Sequence, residues 1–237
     1  MNNSLAMRKE SRSADGSSKP LRFFGGLEFN LAEHIAFLLA FIREPASVGA
    51  LSPSSRALAQ AMIEGFSLKS ADTVVELGPG TGAFTAPIRE RLGRHTTFLT
   101  MELDPFYVRS LKRRFPDLMV YNDSAERMLE YLALHGKKRA NYIVSGLPWA
   151  NLTADQQTRI MEVIVAALSP NGIFTTFAYF HARWLPKARR FRESLESRFA
   201  SVETSPIVWR NLPPAVVYRC TQAIKPSAAK KKRFLFA

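Results

Sequence analysis

Residues 74–82, with the sequence VVELGPGTG, constrain the fold more than any other part of the chain. An apolar run of strand-forming residues leads directly into three glycines at alternate positions, and a helical pattern follows. Glycine tolerates positive φ and lets a ligand approach the backbone closely. The segment therefore predicts a strand, a tight turn and a helix, with a ligand bound over the turn.

Strands and helices are predicted to alternate along the rest of the chain. Alternation of this kind is typical of a parallel, doubly wound sheet covered by helices. The last two predicted strands flank the loop 211–214 and would give the sheet an antiparallel edge. We therefore predict an α/β, Rossmann-like fold with a seven-stranded, mostly parallel sheet. The predicted strands are 73–77, 97–102, 119–122, 141–145, 172–179, 201–209 and 216–221. Helices are predicted at 56–63, 83–92, 105–115, 126–134, 154–168 and 187–198.

Two acidic residues accompany the glycines Gly78, Gly80 and Gly82. The glycine spacing is G-x-G-x-G, which differs from the G-x-G-x-x-G of dinucleotide-binding proteins. Glu76 precedes the first glycine by two positions, where a carboxylate can accept hydrogen bonds from the amino end of a methionine. Glu102 ends the next predicted strand, where a carboxylate can bind both ribose hydroxyls. This combination predicts S-adenosylmethionine (SAM) as the cofactor.

Further candidates for cofactor binding follow the second, third and fourth strands. Asp123 is placed to accept a hydrogen bond from the adenine amino group. Its alternative role is the N-cap of the helix predicted at 126–134. The other candidates follow these acids or end the fourth strand. They are Leu103 after Glu102, Ser124 and Ala125 after Asp123, and Ser145 at the end of the strand 141–145.

Residues 145–149, with the sequence SGLPW, end the fourth strand beside the expected position of the reactive methyl group. Methyl transfer is an in-line displacement, so the protein must chiefly align the reactants and exclude water. The acceptor amine must be neutral, and the Ser145 hydroxyl with the carbonyls of Gly146 and Leu147 could accept its N–H groups. Trp149 and Tyr179 could face the developing ammonium through cation–π attraction. For each aromatic ring, the alternative is packing beneath the site.

Basic and apolar segments lie at the ends of the chain. Residues 1–22 and 225–237 hold most of the formal charge of +13. Such tails bind anionic lipid or nucleic acid, although solubility alone is an alternative reason for them. Residues 27–43 have a helical apolar pattern with flanking arginines, which is typical of an interfacial amphipathic helix. The alternative is a helix packed on its own domain.

These patterns predict a domain organisation and a location. Residues 1–22 form a basic tail, 23–66 membrane-interacting helices, 67–224 the SAM-binding domain and 225–237 a second basic tail. A single cysteine excludes an internal disulfide and fits a reducing compartment. No strongly apolar run reaches the ~20 residues that span a bilayer. We expect a cytoplasmic enzyme, peripheral on the inner face of the cytoplasmic membrane.

Residues 72–180 resemble class I SAM-dependent methyltransferases in general, and segments outside that core resemble bacterial phospholipid N-methyltransferases. These segments are REP at 43–45, VGA at 48–50, SPSSR at 52–56, SGLPW at 145–149 and NLPPA at 211–215. The resemblance covers roughly residues 30–222. It implies successive methylation of a lipid head-group amine, in phosphatidylethanolamine or ornithine lipid. It also implies an amino-terminal helix that holds the enzyme to an anionic membrane, with no specific nucleic acid partner.

Adenine N6-methyltransferases that act on rRNA or DNA are the alternative, because they share the fold and the net charge suits nucleic acid. Their fourth-strand motif is N-L-P-Y or N-P-P-Y. Its first side chain accepts a hydrogen from the adenine amino group, and its aromatic ring stacks on the flipped base. Gly146 occupies that first position here, and using Ser145 instead would break the spacing to Trp149. The sequence therefore favours a lipid amine as the acceptor.

Overall fold

A computed structural model describes residues 54–224, which form a seven-stranded sheet between two layers of helices. The strand order is β3-β2-β1-β4-β5-β7-β6. The strands are β1 (Thr73–Leu77), β2 (Thr97–Met101), β3 (Met119–Tyr121), β4 (Ala140–Ser145), β5 (Leu168–Tyr179), β6 (Phe199–Thr204) and β7 (Ala215–Ala223).

The direction of the strands confirms the predicted α/β fold. Strands β1 to β5 pair in parallel, and β7 pairs antiparallel with both β5 and β6. The strand that runs against the others is therefore β7, and the edge strand β6 again points the same way as β1 to β5. The predicted strand at 201–209 ends earlier, at Thr204, and Pro206 follows in the loop. Proline has no backbone N–H to continue the ladder.

Residues 54–224 contain six α-helices, of which the first precedes β1 and the other five connect successive strands. They are α1 (Arg56–Met62), α2 (Thr85–Arg89), α3 (Pro105–Arg114), α4 (Met128–Leu134), α5 (Ala154–Ala167) and α6 (Pro186–Glu196). Helix α2 is shorter than the predicted 83–92 at both ends, and Gly82, directly before the predicted start, has a φ of +81°. A capping box formed by Thr153 and Gln156 fixes the start of α5.

Each face of the sheet has its own hydrophobic core. Helices α4, α5 and α6 cover one face, where Met128, Ile164 and Phe191 are buried. Helices α1, α2 and α3 cover the other, where Met62 and Ile88 are fully buried. Helix α1 thus belongs to the same core as the sheet, although the sequence grouped it with the amino-terminal helices.

Several predicted features lie outside the described residues. They are the basic tails 1–22 and 225–237 and the interfacial helix at 27–43. Among residues 54–224, none of the helices is both long and apolar enough to cross a membrane.

Candidate cofactor and acceptor site

The carboxyl ends of β1, β2 and β4 meet at one edge of the sheet. Leu77, the last residue of β1, pairs with Met101 at the end of β2 and with Ser145 at the end of β4. The Gly78 N–H donates to the Met101 carbonyl at 2.8 Å, and the Gly146 N–H donates to the Leu77 carbonyl at 2.8 Å. The glycine loop, Glu102 and the SGLPW segment are therefore neighbours, as the sequence predicted.

Each of the three loop glycines has a positive φ, but their surroundings differ. A Cβ on Gly78 would lie 2.8 Å from the Leu147 side chain, and one on Gly82 would lie 3.0 Å from the Leu111 side chain. A Cβ on Gly80 would meet no protein atom within 4 Å. Two of the glycines are thus required by packing, whereas Gly80 faces open space where a ligand can approach the backbone.

Glu102 connects the glycine loop to the end of β2. Its Oε2 accepts from the Gly80 N–H at 2.9 Å, and its Oε1 accepts from the Asp104 N–H at 3.0 Å. The residue is 9% exposed. Each carboxylate oxygen has two lone pairs, so both retain acceptor capacity for a hydroxyl. The geometry fits the predicted binding of two ribose hydroxyls and adds a structural role that the sequence did not indicate.

Glu76 is fully buried in β1 and only partly satisfied. Its Oε2 accepts from the Thr85 hydroxyl at 2.7 Å, while its Oε1 has no hydrogen-bond partner among residues 54–224. Burial raises the pKa of Glu76 from 4.5 to about 8, against the Thr85 hydrogen bond, and the charge of Glu102 adds to the rise. A ligand with a positive charge and N–H donors would compensate both the desolvation and the missing partner. SAM has these properties, so the two acids fit it.

Asp123 lies in a hydrogen-bonded network after β3. Its Oδ2 accepts from the Tyr131 hydroxyl at 2.7 Å and from Arg127 at 2.5 Å, and its Oδ1 accepts from the Ser124 N–H. These contacts, the Tyr131 hydrogen bond foremost, lower the pKa of Asp123. The N-cap alternative is wrong for Asp123, because the Ser124 hydroxyl makes the capping contact, with the Glu126 N–H. Binding of adenine by Asp123 stays a prediction.

The neighbouring cofactor candidates occupy different environments. Leu103 is 71% exposed directly after Glu102, and its carbonyl accepts from the Asn122 side chain at 2.8 Å. Ala125 is buried in the core. Asn122 also donates to the Glu102 carbonyl at 3.0 Å, so it holds together the turns after β2 and β3.

The SGLPW segment is held by a buried indole. The Trp149 N–H donates to the Ser145 hydroxyl at 3.2 Å and to the Thr176 hydroxyl at 3.0 Å, so it joins the ends of β4 and β5. Ser145 also accepts from the Leu147 N–H at 3.3 Å. Trp149 is 4% exposed and stacks on Phe191 at 4.7 Å between ring centroids. This geometry favours packing beneath the site for Trp149. Direct contact of Trp149 or Ser145 with an amine stays a prediction.

Tyr179 lies at the end of β5 but in the other core layer from Trp149. It packs with Phe177 at 5.6 Å and stacks on His181 at 6.1 Å between ring centroids. Burial raises the pKa of the Tyr179 hydroxyl, which therefore stays neutral at physiological pH. The structure does not bring Trp149 and Tyr179 together into one aromatic surface, and Tyr179 is the more accessible of the two.

Some supporting residues had no clear sequence signal. Thr85 and Thr176 lie beneath the site as partners of Glu76 and Trp149, and threonine is common in such positions for packing reasons alone. Asn211 was part of a recognised motif without an assigned role. Its Oδ1 accepts from the Ser55 N–H at 2.9 Å, and its Nδ2 donates to the Pro213 carbonyl at 2.7 Å. It therefore joins the start of α1 to the loop between β6 and β7.

Comparison with known sequences finds methyltransferases. A family model for ribosomal RNA adenine dimethylase matches residues 54–165. An ornithine lipid N-methyltransferase of Singulisphaera acidiphila is 29% identical over 196 residues, which are 80% of this chain and 96% of that protein. A ribosomal RNA small subunit methyltransferase A of Ralstonia nicotianae is 37% identical over 78 residues, 33% of this chain. The match spans only 27% of that rRNA enzyme's length.

Solved structures share the fold. An rRNA methylase of Streptococcus thermophilus has a TM-score of 0.52 and 15% identity, over 70% of this chain and 95% of its own. Human methyltransferase-like protein 13, solved with S-adenosylhomocysteine, has a TM-score of 0.52 and 14% identity, over 75% and 85%. The sheet, the glycine loop with its two acids and these relatives define a SAM-dependent methyltransferase of the class I fold. Of the two sequence relatives described above, the ornithine lipid enzyme is matched over most of both chains, and the rRNA enzyme over a third or less of each.

Proposed function

We propose that this methyltransferase adds methyl groups in succession to the primary amine of a membrane lipid head group, phosphatidylethanolamine or ornithine lipid. The observation that carries the proposal is the extent of the match to the ornithine lipid N-methyltransferase, 96% of that protein. The rRNA family model ends at residue 165, before β5, so it covers the cofactor-binding strands and leaves out Tyr179 and the closing motif at 211–215.

The packing around Gly146 supports a lipid amine over adenine. Adenine N6-methyltransferases have a polar side chain at this position, which accepts from the adenine amino group. A Cβ on Gly146 would lie 2.5 Å from the Gly78 carbonyl oxygen, which is far closer than a van der Waals contact. An asparagine here would therefore displace the glycine loop that binds the cofactor. The family match favours the rRNA alternative, but this chain has glycine at position 146 and so lacks the polar side chain of adenine N6-methyltransferases.

The residues of the acceptor side can orient a neutral amine. When bound, SAM supplies an electrophilic methyl group on its sulfonium. The Trp149 indole fixes the SGLPW segment from below through Ser145 and Thr176, which holds the Gly146 and Leu147 carbonyls at the sheet edge. Those carbonyls can accept N–H groups of the amine and direct its lone pair. The Tyr179 ring can stabilise the charge that the nitrogen acquires on each transfer.

The test is lipid analysis of cells that make this chain in a host without methylated lipids. We expect phosphatidylethanolamine or ornithine lipid to gain one, two or three methyl groups by mass spectrometry, and none in cells that make the Gly80→Val variant. Purified enzyme given vesicles of each lipid separately, with labelled SAM, identifies the acceptor. Label on adenine N6 of unmodified rRNA, with none in either lipid, would overturn the proposal and establish the alternative.

A further inference from the structure

A group of exposed apolar side chains lies at the carboxyl edge of the sheet, on the β5–β7 side. Trp184, Leu185, Trp209 and Leu212 are 66%, 49%, 68% and 37% exposed, and we call them the tryptophan surface. Burial of large apolar groups normally stabilises a protein, so four exposed ones on two adjacent loops indicate a surface that binds something.

The two loops that carry this surface are joined to each other. Trp184 and Leu185 follow β5, and Trp209 and Leu212 lie between β6 and β7. The Phe180 N–H donates to the Pro214 carbonyl at 2.7 Å, and the rings of Phe180 and Trp209 are 6.0 Å apart. The two loops that carry the tryptophan surface are therefore in direct contact, and the first of them begins directly after Tyr179.

The surroundings of the tryptophan surface are basic. Residues 180–192 contain five lysines and arginines and no acid, and residues 205–214 contain Arg210 and no acid. Arg192 is ion-paired with Glu196 at 2.8 Å. The basic residues are Arg183, Lys187, Arg189, Arg190, Arg192 and Arg210. Such a surface attracts an anionic partner.

We propose that the tryptophan surface docks on the head-group region of an anionic lipid bilayer and so presents the acceptor site to its substrate, an inference that rests on the proposed lipid amine. Tryptophan is enriched at the boundary of lipid and water, and basic residues beside apolar ones are typical of proteins bound there. The leucines bury apolar area in lipid.

A single-stranded nucleic acid fits the surface less well. Bases stack on open aromatic faces. The Arg183 guanidinium already lies over the Trp184 ring at 4.5 Å and over the Phe180 ring at 5.2 Å from the centroids. Exposed leucines add nothing to base stacking, whereas they contribute to burial in a bilayer.

The residues just before α1 lie beside this surface. The Ser55 N–H donates to Asn211, in the loop that also carries Trp209 and Leu212. The start of the described residues is therefore held next to the loop that carries half of the tryptophan surface.

The chain has three tryptophans, which makes the docking directly measurable. Trp184 and Trp209 are in the proposed contact, and Trp149 is 4% exposed. Vesicles of brominated phosphatidylglycerol and phosphatidylcholine in equal parts should quench the fluorescence of the full chain. The double variant Trp184→Phe and Trp209→Phe should lose that quenching while Trp149 still emits. Protein that co-sediments with these vesicles without any quenching would show that another segment binds them and would overturn the proposal.

A second variant tests affinity. Replacing all four residues of the tryptophan surface by serine should weaken vesicle binding by about tenfold or more, because the apolar part of the contact is lost. The matched control is Leu134→Ser with Ile224→Ser, which removes two residues that are 71% and 52% exposed at the opposite edge of the sheet. The control should bind vesicles like the unaltered chain, and unchanged SAM affinity shows that both variants fold. Equal vesicle binding by the two variants would contradict the docking surface.

The proposed docking surface and the proposed lipid substrate can be refuted independently of each other. Activity on detergent-dispersed aminolipid needs no membrane docking, so activity there without quenching on vesicles would remove the docking surface and leave the lipid substrate. Quenching on vesicles without methylation of any lipid would keep the surface and remove the proposed function. Binding of a single-stranded RNA oligonucleotide that is lost in the four-residue variant, with no binding to vesicles, would assign the surface to RNA.

Discussion

Two parts of the candidate site are built in different ways. The cofactor side consists of the glycine loop, Glu76 and Glu102, and the acceptor side consists of the SGLPW segment, Tyr179 and the closing motif at 211–215. On the cofactor side, one loop and two acids account for the geometry, and Gly80 and Glu102 are 22 positions apart in the chain. On the acceptor side, the stabilising contacts join distant segments, as between Ser55 and Asn211, which are 156 positions apart. The rRNA family model covers the cofactor side and also residues 145–149 of the acceptor side, but it leaves out Tyr179 and the closing motif at 211–215. The difference leads us to expect that the segments after residue 165 affect the choice of substrate more than they affect SAM binding.

The largest effect is expected from Gly80→Val, on the cofactor side. Gly80 has a φ of +53° and open space at its Cβ position, where we expect SAM to approach the backbone. Valine there should abolish SAM binding in calorimetry. The control is Gly136→Val, because Gly136 also has a positive φ, +67°, and open space, but lies after α4. Each substitution should cost about 1–2 kcal/mol of backbone strain. If both variants bind SAM equally, the loop is not the cofactor site.

Glu102→Ala should have the next largest effect. A charge-assisted hydrogen bond contributes ~1.5–3 kcal/mol, so SAM affinity should fall by about 10- to 150-fold for each such bond lost. Part of this loss comes from release of Gly80, which Glu102 holds at 2.9 Å. Asp104→Ala is the control, because it removes the N-cap of α3 and its contact with the Phe106 N–H without removing an acid of the site. A Glu102 variant with unaltered affinity in calorimetry would exclude this carboxylate from cofactor binding.

More of the cofactor side than of the acceptor side could be predicted from the sequence. The alternation of strands and helices, the glycine loop and the positions of Glu76 and Glu102 were predictable, because short-range patterns specify them. The alternative roles of Trp149 could not be separated, since only the structure shows its indole N–H between Ser145 and Thr176. Asn211 was visible as part of a motif, but its partner Ser55 is too remote in the chain for local patterns to indicate.

Replacement of the two acceptor-side aromatics by phenylalanine separates positioning from direct contact. Phenylalanine keeps a ring that can face an ammonium but removes the Trp149 N–H, which would leave two buried hydroxyls without their donor. Trp149→Phe should therefore lower kcat by about tenfold with little change in SAM affinity, if ~1.4 kcal/mol of positioning is lost. Tyr179→Phe should retain most activity, and Tyr179→Leu should lose it. A Trp149→Phe enzyme with full kcat would favour direct contact through the ring.

The last prediction is a pH dependence that the buried Glu76 gives to the cofactor side. Burial raises the pKa of this carboxyl from 4.5 to about 8, so the folded protein without cofactor holds a proton that the unfolded chain releases. Its contribution to stability is present below pH 4.5 and is lost as the pH rises towards 8. The free energy of unfolding should fall by at most ~1.4 kcal/mol per pH unit across that range because of this group.

Binding of a cationic cofactor should reverse the preference of Glu76 for its proton. The carboxylate that faces a positive charge is favoured in its ionised form, so SAM binding near neutral pH should release a proton and tighten as the pH rises towards 8. Calorimetry in buffers of different ionisation enthalpy counts that proton. Glu76→Gln should show neither the proton release nor this part of the pH dependence of stability. If the glutamine variant releases the same proton, another group titrates, and the burial of Glu76 beside Thr85 has no part in cofactor binding.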